Sequence, residues 1–243
     1  MQIVKKTINM TSCQSTNDEA MRLLKENTFK ENFIVNTFSQ LKGRGQYENS
    51  WISEDGKNLT FSLVIAPSFI APKFQFQLTI ISSLAAVSFL NKYNYDKFSI
   101  KWPNDILYKG KKICGILIEN IIKGNILAHS IIGVGLNVNQ DSFEFESAIS
   151  LKQITSKEYE LPILLDELSD TILDFCERYE SNKKEFNKEY LSNLFRYGEW
   201  AKYSIEGKVI DGKIIGVSDI GMLRLELMNG SIQEFGLKEI KFI

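Results

Sequence analysis

The sequence predicts an α+β fold in which a mixed β-sheet, covered by helices, is followed by a small β-barrel. The segments "KICGILIEN" and "LAHSIIGVGLNVN" are apolar on both faces, as the central strands of a covered sheet are. Helical patterns precede and follow these two segments. After about residue 198 the pattern changes to short alternating strands with Asp-Gly and Asn-Gly turn signals. We therefore predict a first domain over residues 1–198 and a second over residues 199–243.

The first half of the chain alternates helical and extended patterns. A helix is predicted after Thr16, because Thr16 and Glu19 fit a capping box. The segments "NFIVNTFS" and "NLTFSLVIA" are typical of strands, and a polar Gly-Arg-Gly loop lies between them. Apolar residues recur at helical spacing from Pro72 to about Tyr93, which predicts a buried helix.

In the second half, "KFSIKWPNDILY" predicts a strand that is broken at Pro103. The "KGN" before Ile126 predicts the hairpin turn between the two apolar strands. Residues 158–197 are typical of two helices that meet at Asn182. Two further hairpin turns are predicted in the tail, at Asp211-Gly212 and Asn229-Gly230.

Composition excludes several classes of protein. The 243 residues are 44% hydrophobic and 24% charged with a formal net charge of −1, so a globular chain that binds no DNA is expected. The first residues are too polar for a signal peptide, and the longest apolar stretches fall short of a membrane span. Cys13, Cys114 and Cys176 form no C-x-x-C pair, which argues against disulfides or zinc and favours a cytoplasmic protein. His129 is flanked by apolar residues and is interpreted as structural.

Two polar segments in the first half are candidates for a ligand site. "QSTN", residues 14–17, gathers hydroxyls and an amide at a helix start, where they either bind a ligand or cap the helix. In "GRGQYENSW", Gly43 and Gly45 permit close approach of the backbone to a ligand. Arg44 is a forked donor for an anion, and Trp51 offers a flat surface for a ring. The alternative is a solvated loop with a core tryptophan.

Two further segments have the same double interpretation. "KWPNDILY" places Asn104 and Asp105 at a strand end, where the carboxylate could hold Mg²⁺, accept a proton or simply form a turn. In "GKKICGILIEN", Lys112 and Gly115 either face a ligand or belong to an ordinary hairpin. "GVGLNV" lacks the third glycine of the dinucleotide motif, and "GKKICG" is not followed by Lys-Ser/Thr. Both common nucleotide-binding fingerprints are therefore disfavoured.

Taken in order, "STN", "GRG…W", "KWPNDI", "KKICGILIE" and "GVGLNVN" resemble the catalytic domain of biotin protein ligases. The resemblance runs from about Ser15 to Asn139, and the β-rich tail is similar to the SH3-like C-terminal domain of that family. It implies the biotin ligase/lipoate ligase-like fold and a ligase that uses ATP, Mg²⁺ and biotin. Such a ligase makes biotinyl-5′-AMP and transfers biotin to a lysine of a biotin carboxyl carrier protein. Because "STN" begins at Ser15, the chain resembles a short form without an N-terminal DNA-binding domain.

The resemblance also implies a role for each matched residue. Catalysis is expected of Lys112, Asp105 and Arg44, with Lys112 bridging the biotin carboxylate and the phosphate and Asp105 as the Mg²⁺ ligand. Biotin binding is expected of Ser15, Thr16, Asn17, Gln40, Gly43, Arg44, Gly45, Lys112 and Gly115. ATP binding is expected of Arg44, Gln46, Trp51, Asn104, Asp105, Lys112 and Asn137.

The loop departs from the family pattern at two positions. Relatives usually have arginines where this chain has Gln46 and Asn49. Each lost charge-assisted contact is worth ~1.5–3 kcal/mol, so we expect biotinyl-5′-AMP to be held less tightly than in those relatives.

Two alternative functions stay open: a lipoate ligase-like acyl-adenylate enzyme and a non-catalytic biotin sensor. "KWPND" together with "GVGLNVN" favours biotin over lipoate. Lys112 and Asp105 are both present, which argues against a sensor. Pairing of edge strands near "IIGVGLNV" is one route to a homodimer.

Overall fold

The computed structural model describes residues 5–29, 32–46, 49–94 and 98–243. It has the α+β architecture that the sequence predicts. In chain order, the helices and strands are β1 (Lys6–Cys13), α1 (Thr16–Lys25), β2 (Phe33–Gln40), β3 (Gly43–Arg44), β4 (Ser50–Trp51), β5 (Leu59–Ile65), a 3₁₀ turn (Pro72–Phe74), α2 (Phe76–Leu90), β6 (Phe98–Lys101), β7 (Asp105–Tyr108), β8 (Lys111–Lys123), β9 (Ile126–Leu136), α3 (Leu151–Thr155), α4 (Leu161–Asn193), β10 (Trp200–Ile205), β11 (Lys208–Val217), β12 (Leu223–Leu227), β13 (Ile232–Phe235) and β14 (Ile240–Phe242).

The main sheet is mixed and contains seven of these strands in the order β1-β2-β5-β9-β8-β7-β6. The β1–β2 pair is parallel, and the remaining pairs are antiparallel. The turn predicted before Ile126 joins β8 to β9. The interpretation of "IIGVGLNV" as an edge strand is wrong, because β9 lies between β5 and β8 and its backbone groups are already paired. The edges of this sheet are β1 and β6, so a dimer through β9 pairing is not available.

Helices cover both faces of the main sheet. Ala20 and Leu23 of α1 pack with Phe33, Val35 and Ile131 in a small cluster on one face. The long α2 and α4 pack against each other over the other face and belong to the large core cluster. The apolar character of both faces of β8 and β9 follows from this double coverage.

The start of the chain differs from the sequence-based expectation. The N-cap of α1 is Ser15, which makes no side-chain capping hydrogen bond, so the capping box predicted for Thr16 and Glu19 is wrong. The Thr16 amide donates instead to the Gln40 side chain at 2.8 Å. The segment Lys6–Cys13 forms β1, which the sequence analysis does not predict.

The break predicted at Asn182 is confirmed within α4. Asn182 has non-helical angles (φ −131°, ψ 25°) where two helices join at a kink. Beyond the kink, the buried Tyr190 hydroxyl donates to the Pro103 carbonyl at 2.8 Å. Pro103 follows a cis peptide bond and directly precedes Asn104 and Asp105. The C-terminal half of α4 therefore supports the turn that carries these two predicted site residues.

We expect Tyr190→Phe to lower the free energy of unfolding by ~1–2 kcal/mol, because the buried Pro103 carbonyl then loses its hydrogen-bond donor. Urea denaturation measures the change. Tyr197→Phe is a matched control, since Tyr197 is 40% exposed. A Tyr190→Phe variant as stable as the parent would contradict this account of the turn.

The C-terminal strands form an antiparallel sheet in the order β13-β12-β11-β10-β14. Within the part of the chain that the structure describes, β13 and β14 are not paired, so this sheet is not a closed barrel. The turn predicted at Asn229-Gly230 is confirmed between β12 and β13. The turn predicted at Asp211-Gly212 is wrong, because both residues lie inside β11. The turn between β10 and β11 is instead formed by Glu206 and Gly207, both at positive φ.

The C-terminal sheet packs directly on the main body. The indole of Trp102 donates to the Gly221 carbonyl at 3.0 Å. Gly221 has a φ of +94°, and a Cβ on it would lie 2.4 Å from the Phe76 ring. Buried residues of both sheets belong to one hydrophobic cluster. The division into domains at residues 198 and 199 stays a prediction. No helix in the described ranges is long and apolar enough to cross a membrane.

Candidate active site

A cavity of about 190 Å³ lies where the N-terminus of α1, the β3–β4 hairpin and the strands β7, β8 and β9 meet. It is lined by Ser15, Thr16, Asn17, Gln40, Arg44, Gly45, Gln46, Asn49, Ser50, Trp51, Thr60, Pro103, Asn104, Asp105, Lys112, Gly115, Ile116, Leu117, Gly133, Val134, Gly135 and Leu237. All the sequence-predicted site residues except Gly43 and Asn137 are in this lining. The fold therefore brings together four motifs that are separated by up to about a hundred residues in the chain.

Glycines on β8 and β9 make room for a ring on the cavity wall. Gly115 and Gly135 are cross-strand partners, and both face the indole of Trp51. A Cβ on Gly135 would lie 2.3 Å from the Trp51 ring, and a Cβ on Gly133 would lie 2.3 Å from the Asn17 amide oxygen. Gly133 and Gly135 are not among the sequence-predicted site residues. Their spacing in "GVG" could have predicted their role, because residues two apart in a strand lie on the same face of the sheet.

A hydrogen-bonded network forms the polar end of the cavity. The Ser62 hydroxyl lies 2.7 Å from the Thr16 hydroxyl and 2.5 Å from the Asn17 amide oxygen. The Asn17 amide nitrogen donates to Glu119 at 2.7 Å. Thr16, Asn17 and Ser62 are all buried. This end of the cavity consequently presents fixed polar groups, which suits a neutral polar ligand such as an amide or urea.

Lys112 and Asp105, which are also in the lining, form an ion pair. The Lys112 ammonium lies 2.7 Å from the Asp105 carboxylate, and 5.7 Å from the centre of the Trp51 ring. Their side chains are 38% and 26% exposed, so both remain open to a ligand. The preceding Asn104 donates its amide to the Ile116 carbonyl and thereby fixes the turn next to Asp105. A cation and a carboxylate in contact can respectively stabilise a developing anion and accept a proton.

Arg44 points toward carboxylates of the protein. Its guanidinium donates to Asp18 at 2.7 Å and to both oxygens of Glu119 at 3.1 and 2.8 Å. The backbone of Gly43 lies against Trp51 and Gln40, where a Cβ would be 2.2 Å from the Trp51 carbonyl oxygen. Glycine at position 43 is thus required by the hairpin itself.

Asn137 is buried behind the cavity and is not part of its lining. Its amide donates to the Ile149 carbonyl at 3.1 Å and to the Lys112 carbonyl at 3.4 Å. Its backbone amide donates to the Ile113 carbonyl at 2.9 Å. In this arrangement Asn137 supports the strand segment that carries Lys112, and its contact with a nucleotide stays a prediction.

The predicted Mg²⁺ ligand has few carboxylate neighbours. The described residues contain no group of three or more His, Cys, Asp or Glu side chains that could hold a metal. Asp105 is the one carboxylate in the lining set. Mg²⁺ is commonly bound by one or two carboxylates together with substrate phosphates. The residues present therefore fit a Mg²⁺ that arrives with a nucleotide, with Asp105 as its protein ligand, and do not form a site by themselves.

The cysteines and the histidine contribute no nucleophile or base to the cavity. All three cysteines are free and buried. Burial raises the pKa of Cys114, which lies two residues after Lys112, to about 12, so its thiol stays protonated. His129 lies on β9 opposite Ile121, and partial burial lowers its pKa. The chemistry of the cavity therefore depends on Lys112, Asp105 and hydrogen-bond donors.

Known proteins resemble this chain in fold and in sequence. Biotin protein ligase from Aquifex aeolicus, solved in complex with biotin and ATP, superposes with a TM-score of 0.80 at 28% identity and covers 98% of both chains. The bifunctional ligase/repressor BirA of Bacillus spizizenii is 29% identical over 238 residues, which are 91% of this chain and 68% of BirA. The biotin–[acetyl-CoA-carboxylase] ligase of Paracoccus denitrificans is 32% identical over 51% of each chain.

The strongest assignment comes from the family comparison. The model of the biotin/lipoate A/B protein ligase family matches residues 10–137. That range contains α1, the β3–β4 hairpin, the Lys112–Asp105 pair and the glycines of β8 and β9. The chain therefore belongs to the biotin/lipoate A/B protein ligase family.

Proposed function

We propose that this protein is an ATP-dependent biotin protein ligase, which activates biotin as biotinyl-5′-AMP and transfers it to a lysine of a biotin carboxyl carrier domain. The observation that carries the proposal is the Lys112–Asp105 ion pair, 2.7 Å apart, in a cavity walled by Gly115 and Gly135. The similarity to biotin protein ligase from Aquifex aeolicus supports biotin and ATP as the substrates.

In the first step a biotin carboxylate oxygen attacks the α-phosphorus of ATP. A new oxygen–phosphorus bond forms, and the bond to the β-phosphate oxygen breaks, with its electron pair leaving on pyrophosphate. Two anions must approach each other, and the Lys112 ammonium lowers this repulsion. Mg²⁺, when bound with the nucleotide at Asp105, would supply further positive charge to the phosphates.

In the second step the carrier lysine attacks the acyl carbon of the mixed anhydride. A carbon–nitrogen bond forms, the carbon–oxygen bond to phosphate breaks, and AMP leaves. The attacking nitrogen must lose a proton, and Asp105 lies at the cavity wall where it could accept it. The contact with Lys112, at 2.7 Å, orients this carboxylate before the carrier arrives.

The remaining lining residues fit the two halves of the adenylate. The polar network around Thr16 and Asn17 suits the ureido group of biotin, and Gly115 leaves space beside its chain. Trp51, Gln46 and Asn104, which are also in the lining, are proposed to contact the nucleotide. Ser15, Gln40 and Gly45 complete the contact surface of the cavity.

A carrier-labelling assay tests the proposal directly. The protein is incubated with ATP, Mg²⁺, a biotin carboxyl carrier domain and either biotin or lipoate, and the carrier is analysed by mass spectrometry. We expect one biotin on one carrier lysine, with formation of AMP and pyrophosphate, and no reaction with lipoate. Labelling by lipoate alone would make the protein a lipoate ligase. Biotin binding without any labelling would make it a sensor, and either result overturns the proposal.

A further inference from the structure

Glu119 connects two lining residues of the cavity although it is not itself in the lining set. It lies on β8 and accepts hydrogen bonds from Arg44 at 3.1 and 2.8 Å and from Asn17 at 2.7 Å. Arg44 belongs to the β3–β4 hairpin, and Asn17 belongs to the first turn of α1. A single carboxylate therefore joins three separate elements of the site.

Asp18 completes the arrangement around Arg44. Its carboxylate accepts from the same guanidinium nitrogen that contacts Glu119, at 2.7 Å. We call Arg44, Asp18 and Glu119 together the Arg44 clamp. The clamp engages Arg44 by the forked, charge-assisted geometry in which arginine binds carboxylates best.

The β3–β4 ladder that carries Arg44 is short. Each of its strands has two residues, with Gly43 paired to Trp51 and Arg44 paired to Ser50. A two-stranded hairpin is marginal in water even when its strands are longer. Because the pairing register ties Trp51 to Gly43, fixing Arg44 also fixes the indole that lies on Gly135.

We propose that Glu119 is a positioning residue, which holds the β3–β4 hairpin and Asn17 together and thereby retains the acyl-adenylate in the cavity. This proposal rests on the proposed ligase function. Gln46 and Asn49 line the cavity from the same hairpin segment and are neutral. Retention of the anionic intermediate consequently depends on tying the hairpin to protein carboxylates rather than on additional cations that contact the ligand.

A competing interpretation makes the opposite prediction. If Arg44 leaves the clamp to bind a phosphate, then Glu119 and Asp18 compete with the ligand for its guanidinium. Removing the charge of Glu119 would then free Arg44 and slow the release of the adenylate. Under our proposal the same change loosens the hairpin and speeds the release. The sign of the effect therefore separates the two interpretations.

The test compares the full-length protein with Glu119→Gln, with Glu119→Asp as the conservative variant. The matched control is Glu234→Gln, because the Arg224–Glu234 pair in the C-terminal sheet is comparably exposed and remote from the cavity. Labelled biotinyl-5′-AMP is bound, excess unlabelled adenylate is added, and the release rate is measured. We expect about tenfold faster release for Glu119→Gln, partial rescue by Glu119→Asp, and no change in the control.

The salt dependence of the release rate is a second readout. A purely structural role of Glu119 would not alter this dependence. The Arg44 and Glu119 side chains are 42% and 30% exposed, so their attraction is screened by salt. Raising the ionic strength from ~10 mM to ~1 M should therefore speed release from the parent protein more than from Glu119→Gln. Slower or unchanged release in Glu119→Gln, or equal salt effects in both proteins, would overturn the proposal.

Hydrogen exchange of the ligand-free protein separates this proposal from the proposed function. We expect faster amide exchange at Arg44 and Trp51 in Glu119→Gln, and parental exchange in Glu234→Gln. This measurement needs no catalysis. A protein that makes no adenylate, yet shows the faster exchange, would disprove the ligase function and leave the clamp standing. Unchanged exchange would disprove the clamp.

Discussion

Replacing Lys112 with methionine is expected to slow biotin-dependent ATP–pyrophosphate exchange by about 10²–10³-fold. Lys112 is the cation that contacts Asp105 at 2.7 Å in the cavity wall, and methionine keeps the unbranched chain while removing the charge. Without that charge the approach of carboxylate to phosphate loses an electrostatic partner that is fixed in place. The exchange assay reports the first step alone, so the carrier domain is not needed.

The neighbouring Lys111→Met is the matched control for this prediction. Lys111 is exposed and is not in the cavity lining, although it precedes Lys112 on β8. We expect its exchange rate to stay within about twofold of the parent rate. An exchange rate for Lys112→Met above a tenth of the parent rate would show that Lys112 is dispensable for adenylation. Equal losses in both variants would point to a general effect of lysine removal.

Several parts of the fold followed from the sequence because they depend on local patterns. The apolar runs gave β8 and β9, and the break in the helical pattern gave the kink at Asn182. The error at Asp211-Gly212 has a specific cause. Gly212 lies under Leu225, where a Cβ would be 2.7 Å from the leucine side chain. That glycine makes room for a side chain of the neighbouring strand. The sequence alone does not distinguish such a glycine from the glycine of an Asp-Gly turn.

The candidate site was predictable where its residues lie in compact motifs. Residues 15–17, the loop around Arg44 and the segments with Asp105 and Lys112 all reach the same cavity. Ser62 and Glu119 were missed because their importance depends on which strands are neighbours. Leu237 reaches the lining from the turn between β13 and β14, which only tertiary packing can place there.

Asn137 lies in a recognised motif, but the sequence does not determine its role. An asparagine beside a glycine-rich strand is chemically suited to contact a nucleotide, and the family resemblance gave it that role. In the folded protein its amide donates to the carbonyls of Lys112 and Ile149. The same side-chain chemistry thus serves ligand binding or backbone support, and only the hydrogen-bond partners distinguish the two.

Gly135→Ala is expected to lower the catalytic efficiency of biotin activation by about 100-fold while the protein stays folded. The new methyl group would lie 2.3, 2.6 and 2.7 Å from three atoms of the Trp51 ring, so the indole must move. Trp51 is paired through the hairpin to Gly43, and its displacement shifts the wall beside Lys112. Overpacking of this kind also costs ~1–3 kcal/mol of stability, which urea denaturation measures.

Gly216→Ala provides the control, because the nearest atom to its added Cβ is 3.8 Å away and its φ is not in the left-handed region. We expect this variant to retain the parent activity and stability to within about twofold and ~1 kcal/mol. The comparison separates loss of ring space from a general cost of replacing a strand glycine. If Gly135→Ala loses stability but keeps its activity, then Trp51 can move without consequence and does not form part of the ligand wall. If both variants lose activity equally, the lack of a side chain at Gly135 has no special role in holding the Trp51 ring.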